Sequence, residues 1–398
     1  MGASCRIKSK FIPERKNSKI MKLYSYITLY YEPMLSGLLI GIVLTILIIW
    51  LLLRKILPEV TNKKNTRTVA TDWLKKKQLK RGPTLVAIGG GTGLSTILGG
   101  LKKYSSNLTA IVTVSDDGGS SGRLRKDLQI LPPGDIRNCL ISLANQDELL
   151  SQLLQYRFTK GEALSGHSFG NLLLAALTDI RGGFLEAVKS ASEVLAISGE
   201  VLPSTCKNVA LKATLKDGTT ITGETNISKT KVSIKTIELI PQSPLPAEKV
   251  IEKIQNADAI ILGPGSLYTS IIPNLLVQGI CKAINNSTSP VIYIANMMTQ
   301  PGETDNFTLE NHVEALLSTT SLKRLDYILA NNSEIETDRI KQYEEHGSLK
   351  IEPLQKLSHL CKTTVINAPL LCKKGLIRHS PEKTAEEIIK LTLNKTIN

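Results

Sequence analysis

Two carboxylates stand side by side at Asp116 and Asp117, in the run Ser-Asp-Asp-Gly-Gly-Ser-Ser-Gly-Arg that spans 115–123. Such a pair has two chemical uses. One Asp can hold ribose hydroxyls, or both can hold a hard cation such as Mg²⁺ whose shell is completed by substrate phosphates. Gly118, Gly119 and Ser120 supply backbone and hydroxyl donors close by, and Arg123 and Arg125 suit a phosphate. The plain structural reading is an Asp-Gly turn capped by Ser. A second concentration of small residues is Gly89, Gly90, Gly91, Thr92 and Gly93. A third is Gly263-Pro264-Gly265-Ser266, followed by Tyr268, whose ring could stack on a ligand. Glycines crowded in this way bring backbone N–H groups up to an anion. Gly89–Gly93 fits neither standard phosphate motif. Leu94 occupies the position where the dinucleotide fingerprint needs glycine, and no Lys precedes a Ser/Thr as in the phosphate-loop NTPases.

Further polar candidates are spread along the chain. Pro-Pro-Gly-Asp at 132–135 opens a helix with Asp135 as its N-cap, and Arg137 and Asn138 project from the first turn. His167 and Asn171 lie in a Gly-bounded loop before another helix. His167 can donate to phosphate and Asn171 can bind ribose or a base edge; their structural readings are a loop histidine and a helix cap. Asn296, Gln300, Glu303 and Asp305 cluster after an apolar run.

The elements that must position these groups are short, unbroken apolar runs, the mark of strands buried on both faces. They lie at 84–88, 109–114, 257–262, 291–295 and 325–330, and four of the five end in a cluster named above. Each of the first three is followed by helical spacing or a helix-start signal. The pattern predicts an α/β fold whose ligand crevice lies at the carboxyl ends of parallel strands. Between these units, 200–240 reads as a small β insertion, with a hairpin turn at Asp217-Gly218 flanked by alternating residues. It offers a lid, a homodimer contact or mere decoration.

The N-terminal part is different. Residues 34–53 hold no charge and reach about 30 Å as a helix, enough for the hydrocarbon core of a bilayer. A buried core helix of this length would carry a polar face, and a cleaved signal would be shorter and followed by small residues. The expected organisation is a basic arm at 1–33, a membrane helix at 34–53, a basic linker at 54–82 (of which 60–82 reads equally as a helix lying along the membrane surface) and a ligand-binding domain at 83–398. Basic residues flank both sides of the apolar run, slightly more after it, which places the main domain in the cytoplasm beneath a single-pass anchor in the inner membrane. Gly2 stands where myristoylation needs it, but Arg6 replaces the Ser/Thr of that signal, and Met21 is an alternative start.

Charge excludes a nucleic-acid-binding domain. The chain is +14 overall, but residues 1–82 carry 17 Lys/Arg against four acids, and the remainder 32 against 31. Aromatic residues at 4% are too sparse for a base-stacking surface. The six cysteines form no Cys-x-x-Cys pair and no zinc spacing, so they read as thiols in a reducing compartment. No nucleophile–base pair or Gly-x-Ser-x-Gly elbow is present.

Taken together, VAIGGGTGLSTILGGLK, TAIVTVSDDGGSSGRLR, GDIRNCL, GHSFGNLLLAAL, ILGPGSLYTSIIPNLLV and NMMTQPGETD resemble the YvcK-like gluconeogenesis factors, within the superfamily of CofD, the 2-phospho-L-lactate transferase. The resemblance covers about 83–390. It implies a Rossmann-like three-layer α/β/α fold and a nucleotide-sugar ligand of the UDP-N-acetylglucosamine type. It also implies a role in cell shape, cell-wall metabolism and growth on gluconeogenic carbon sources, with no established catalytic activity. The alternative it carries is a metal-dependent CofD-type phosphotransferase with Asp116 and Asp117 on the metal. The apolar N-terminal segment departs from the soluble members of the family.

Overall fold

The computed structural model describes residues 17–60, 74–145, 148–230, 232–354 and 362–394. The beginning of the basic arm (1–16, with Gly2 and Arg6) and the middle of the linker (61–73) lie outside the described residues. The chain divides into two compact units, Met1–Leu74 and Lys75–Asn398.

In the first unit one helix runs from Asn17 to Val60. Within it, Met21–Leu51 is long and apolar enough to cross a membrane. The helix therefore starts earlier than the charge-free run, because the aromatic stretch before Pro33 continues it without a break. Every side chain described in this helix is exposed, as a lipid-facing surface requires.

The second unit is built on seven parallel strands: β1 (Leu85–Gly89), β2 (Leu108–Val112), β3 (Glu200–Pro203), then β7 (Ala259–Leu262), β8 (Val291–Ile294), β9 (Tyr327–Asn331) and β10 (Thr364–Ala368), in the spatial order β10-β9-β8-β7-β1-β2-β3. The missing numbers belong to a separate three-stranded antiparallel sheet, β4 (Ala210–Leu215), β5 (Thr220–Thr222) and β6 (Ile234–Ile240), ordered β5-β4-β6. Every residue of β1, β2, β7 and β8 is buried, so both faces of the large sheet are covered. Helix Gly91–Leu101, packed between helices Gly134–Leu143 and Pro381–Asn394, forms part of that cover. The fold is α/β, as the strand pattern predicts, and Rossmann-like, as the family resemblance implies.

Two features differ from the sequence expectation. The insertion starts later than 200, because Glu200–Pro203 belongs to the edge of the large sheet, paired with β2. It also holds a third strand, β6, which pairs with β4 along its whole length, so the Asp217-Gly218 hairpin is half of a small sheet.

Topology places the crevice. From β1 the chain builds outward through β2 to β3, then returns to lay β7 on the other side of β1 and builds outward through β8 to β10. The strand order reverses between β1 and β7. Loops leaving the carboxyl ends of those two strands diverge and leave a cleft.

Candidate functional site

The two glycine loops are the loops that leave β1 and β7. They close on one another more tightly than side chains would allow. A Cβ on Gly93 would lie 2.4 Å from the Pro264 carbonyl oxygen, and one on Gly90 would lie 2.7 Å from Thr113 Cγ2 and 2.8 Å from Asp135 Oδ2. Buried Asn274 ties them from beneath: its Nδ2 donates to the Gly89 carbonyl at 3.0 Å and to the Ser270 carbonyl at 2.7 Å. Above this floor opens a cavity of about 380 Å³, lined by Gly90, Gly91, Thr92 and Gly93 on one side and by Gly265, Ser266, Asn296 and Gln300 on the other. Helix Gly91–Leu101 begins in this wall with no acid in its first turn, so its free N–H groups present a positive end to the cavity. Gln300 Nε2 donates to Ser266 Oγ at 2.7 Å and Asn296 Nδ2 to the Gly265 carbonyl at 2.9 Å, which fixes both amides. Tyr343, Arg378 and His379 also line it. His379 is buried, with Nε2 3.1 Å from the Ala295 carbonyl, and burial lowers its pKa to about 4, so it is neutral at physiological pH.

A second cavity of about 230 Å³ is lined by Asp116, Gly118, Gly119, Ser120, Asp135, Arg137, Asn138, Arg157 and Asn171, among others. Asp135 joins the two. It accepts a hydrogen bond from the Gly91 N–H, and its pKa is pushed up to about 6 by burial and by the Asp116 charge. It is not the helix N-cap that sequence suggests: the cap position is Pro133, and Asp135 lies inside the first turn with its carboxylate turned to the glycine loop. Arg137 donates to Asn171 Oδ1 at 2.9 Å, to Asn138 Oδ1 at 2.8 Å and to Ser168 Oγ, while Asn171 Nδ2 donates to Ser120 Oγ at 3.1 Å. His167 stands behind this network, with Nδ1 3.0 Å from Ser120 Oγ; burial and the Arg123 charge lower its pKa. Burial and the Arg157 charge also lower the pKa of Arg137, against the pull of Asp135 and Asp116.

The remaining predicted residues lie around these cavities. Gly89 and Gly263 end their strands beneath the cleft. Arg123 is exposed and donates to the Ser165 carbonyl at 2.9 Å. Tyr268 is 3% exposed, edge-on to Phe307 in the core, and so is placed for packing. Asp117 turns away from Asp116 toward the insertion: Oδ1 accepts from the Thr225 N–H at 2.8 Å and Thr225 Oγ1 at 2.7 Å. Asp305 closes a local turn by accepting from the Gly302 N–H at 2.9 Å. Glu303 is buried, accepts from Thr269 Oγ1 at 3.0 Å, and is pushed up to about 6 by burial.

One group has no counterpart in the sequence reading. Glu224, on the short helix Glu224–Ile227 of the insertion, meets the fields of Asp116, Asp135, Glu303 and Asp117, and burial with those charges pushes its pKa up to about 9. Protonated at neutral pH, it brings a carboxyl hydroxyl rather than a charge. Asp135, Asn274, Tyr343 and Arg378 were likewise missed as parts of the site. Only Asp135 had a sequence signal, its place two residues before Arg137.

Among the described residues no three His, Cys, Asp or Glu side chains are arranged as a metal-ligand set. Asp116 and Asp135 share a cavity with Arg137. Two carboxylates fit a Mg²⁺ that keeps its waters and takes ligand phosphates, and do not fit a cation caged by protein alone.

The fold is a Rossmann-like α/β domain whose cleft, walled by two glycine loops, lies at the β1/β7 reversal, the topological switch point of the sheet. Residues 85–371 match the family described as 2-phospho-L-lactate transferase CofD. A gluconeogenesis factor of Bacillus subtilis is 43% identical over 310 residues, covering 78% of this chain and 98% of its own length. One of Halalkalibacterium halodurans is 45% identical over 306 residues, 77% of this chain and 95% of its own. A crystal structure of a UPF0052-family protein from Bacillus halodurans superposes with TM-score 0.75 at 42% identity, over 78% of this chain and 99% of that one. The chain belongs to the CofD family, on its gluconeogenesis-factor branch.

Proposed function

We propose that the protein is a nucleotide-sugar-binding regulator, with a ligand of the UDP-N-acetylglucosamine type, acting on cell shape, cell-wall metabolism and growth on gluconeogenic carbon sources. The observation that carries this reading is the switch-point cleft itself. Its backbone N–H groups and helix N-terminus suit a diphosphate, and its fixed amides Asn296 and Gln300 suit the hydroxyls and carbonyls of a base or sugar. The helix Met21–Leu51 tethers the domain to the inner membrane, with the domain on the cytoplasmic side.

A second reading, a metal-dependent phosphotransferase, is favoured by one observation: Asp116, Asp135 and Arg137 line a cavity beside the first. There Mg²⁺ would supply charge neutralisation to a phosphate held by Arg137. Titration calorimetry of the protein with UDP-N-acetylglucosamine, with and without Mg²⁺, followed by analysis of the ligand, separates the two. Metal-independent binding of intact ligand supports the regulator, and metal-dependent breakdown supports the transferase. Absence of binding removes the UDP-sugar assignment.

A further inference from the structure

The second unit opens with 75–81, Lys-Lys-Lys-Gln-Leu-Lys-Arg, which carries five cations and no acid. This segment is not a loose linker. The Ser106 N–H donates to the Leu79 carbonyl at 3.0 Å, and Asn107 Nδ2 donates to the carbonyls of Lys80 at 3.0 Å and Gly82 at 2.8 Å. A Cβ on Gly82 would fall 2.5 Å from the Tyr104 carbonyl oxygen, so the two stretches touch backbone to backbone.

The 102–107 turn leads into β2, and Gly82 precedes β1, so this surface lies at the amino ends of the strands. The ligand cleft lies at the carboxyl ends, about 17 Å away along a five-residue strand. Lys75, Lys76, Lys80 and Arg81 are exposed there, and among the described residues none of these four is paired with a carboxylate. Leu74 at 58% exposure and Tyr104 at 38% stand beside them. Cations interleaved with exposed apolar and aromatic side chains are the composition of a surface that meets lipid headgroups.

We propose that this strand-start face docks on the anionic surface of the bilayer, so that the domain lies flat on the membrane with its cleft opening away from it. Charge complementarity selects the partner: anionic lipid attracts unpaired Lys and Arg, at about fivefold in partitioning per cation. The continuous chain from Met21–Leu51 delivers the face to that surface. The inference rests on that helix crossing the membrane, which resistance of the protein to alkaline carbonate extraction reports separately. It does not depend on the identity of the ligand.

The test is hydrogen exchange of the full chain in proteoliposomes, phosphatidylserine-rich against pure phosphatidylcholine. Amides of 75–83 and 102–107 are expected to exchange at least about tenfold more slowly in the anionic vesicles, with those of 296–300 unchanged. The quadruple variant Lys75→Gln, Lys76→Gln, Lys80→Gln, Arg81→Gln abolishes the difference, while its thermal unfolding midpoint matches the parent and certifies the fold. Equal exchange in both lipids overturns the proposal. So does protection of 75–83 by duplex DNA that anionic vesicles fail to match at the same ionic strength, which would assign the face to nucleic acid.

Discussion

Replacing Gly93 by Ala tests the close approach of the two glycine loops. The new methyl would stand 2.4 Å from the Pro264 carbonyl oxygen and 2.9 Å from its carbonyl carbon, both backbone atoms that no rotamer change can clear. Restoring an ordinary contact requires the loops to part by about 1 Å. Overpacking of this kind costs about 1–3 kcal/mol, which lowers Tm by about 1.5–5 °C for a domain of this size. Parting the loops also displaces the N–H groups that face the cleft, so under the proposed function affinity for UDP-N-acetylglucosamine should fall at least about tenfold. The control lies in the same helix. A Cβ on Gly99 meets nothing within 4 Å, so Gly99→Ala should raise stability by about 0.5–1 kcal/mol through helix propensity alone, and leave binding intact. Thermal unfolding and titration calorimetry of both variants decide the matter. A Gly93→Ala protein with parental Tm and parental affinity would refute the argument that these loops are in contact and that their contact shapes the cleft.

Other expectations follow from single residues. Glu224 has a folded pKa raised to about 9, against about 4.5 unfolded, so its contribution to stability is complete below the unfolded value and is lost as pH rises through the folded one. Glu224→Gln should therefore flatten the fall of Tm between pH 5 and 9, and a Tm–pH curve that parallels the parent's would contradict the buried carboxylate cluster. Asp117→Ala removes the two hydrogen bonds to Thr225. It should speed hydrogen exchange across 220–230 by about tenfold while changing ligand affinity less than Gly93→Ala does. Asn274→Ala strips the buried Gly89 carbonyl of a side-chain donor and should cost about 2–3 kcal/mol, read in a urea melt at unchanged m-value. If the second cavity takes Mg²⁺ through phosphate, Mg²⁺ should raise Tm only when the nucleotide sugar is present, and Asp135→Asn should erase that increment.

The parts legible in sequence were those where one local pattern carries both fold and site. A buried strand running straight into glycines could be read at Leu85–Gly89 and again at Ala259–Leu262, and topology then placed the two together. The strands missed were the two edges of the sheet. β3 is four residues long and ends in Pro203, and β10 keeps an exposed or half-buried side chain at four of its five positions, so neither has an unbroken apolar run. Side-chain direction was the other blind spot. Asp116 and Asp117 are neighbours of the same type, yet one lines a cavity and the other fastens the insertion, because they lie in an irregular loop past β2 where no periodicity announces side-chain direction. Tyr268 follows a glycine loop as a stacking residue would, but its ring lies beside Phe307 in the core. Glu224 lay in a segment whose alternation spoke only of a hairpin, and its proximity to Asp116 and Asp135 comes from tertiary folding alone.

Pairing of β1 with β7 has a consequence in time. Leu85 lies against Ala259 in the finished sheet, but a ribosome adding about 5–20 residues per second completes β7 some 10–30 s after β1. Through that interval β1 has β2 and β3 on one side and nothing on the other, an apolar edge with open hydrogen-bonding groups. A nascent chain of this design has to be shielded at that edge by a chaperone or by its own transient contacts. The cleft between β1 and β7 is complete only late, when the second loop seats against Gly93. Ligand present during synthesis would then act as a trap for chains that have closed the sheet, drawing folding forward at its last non-local step.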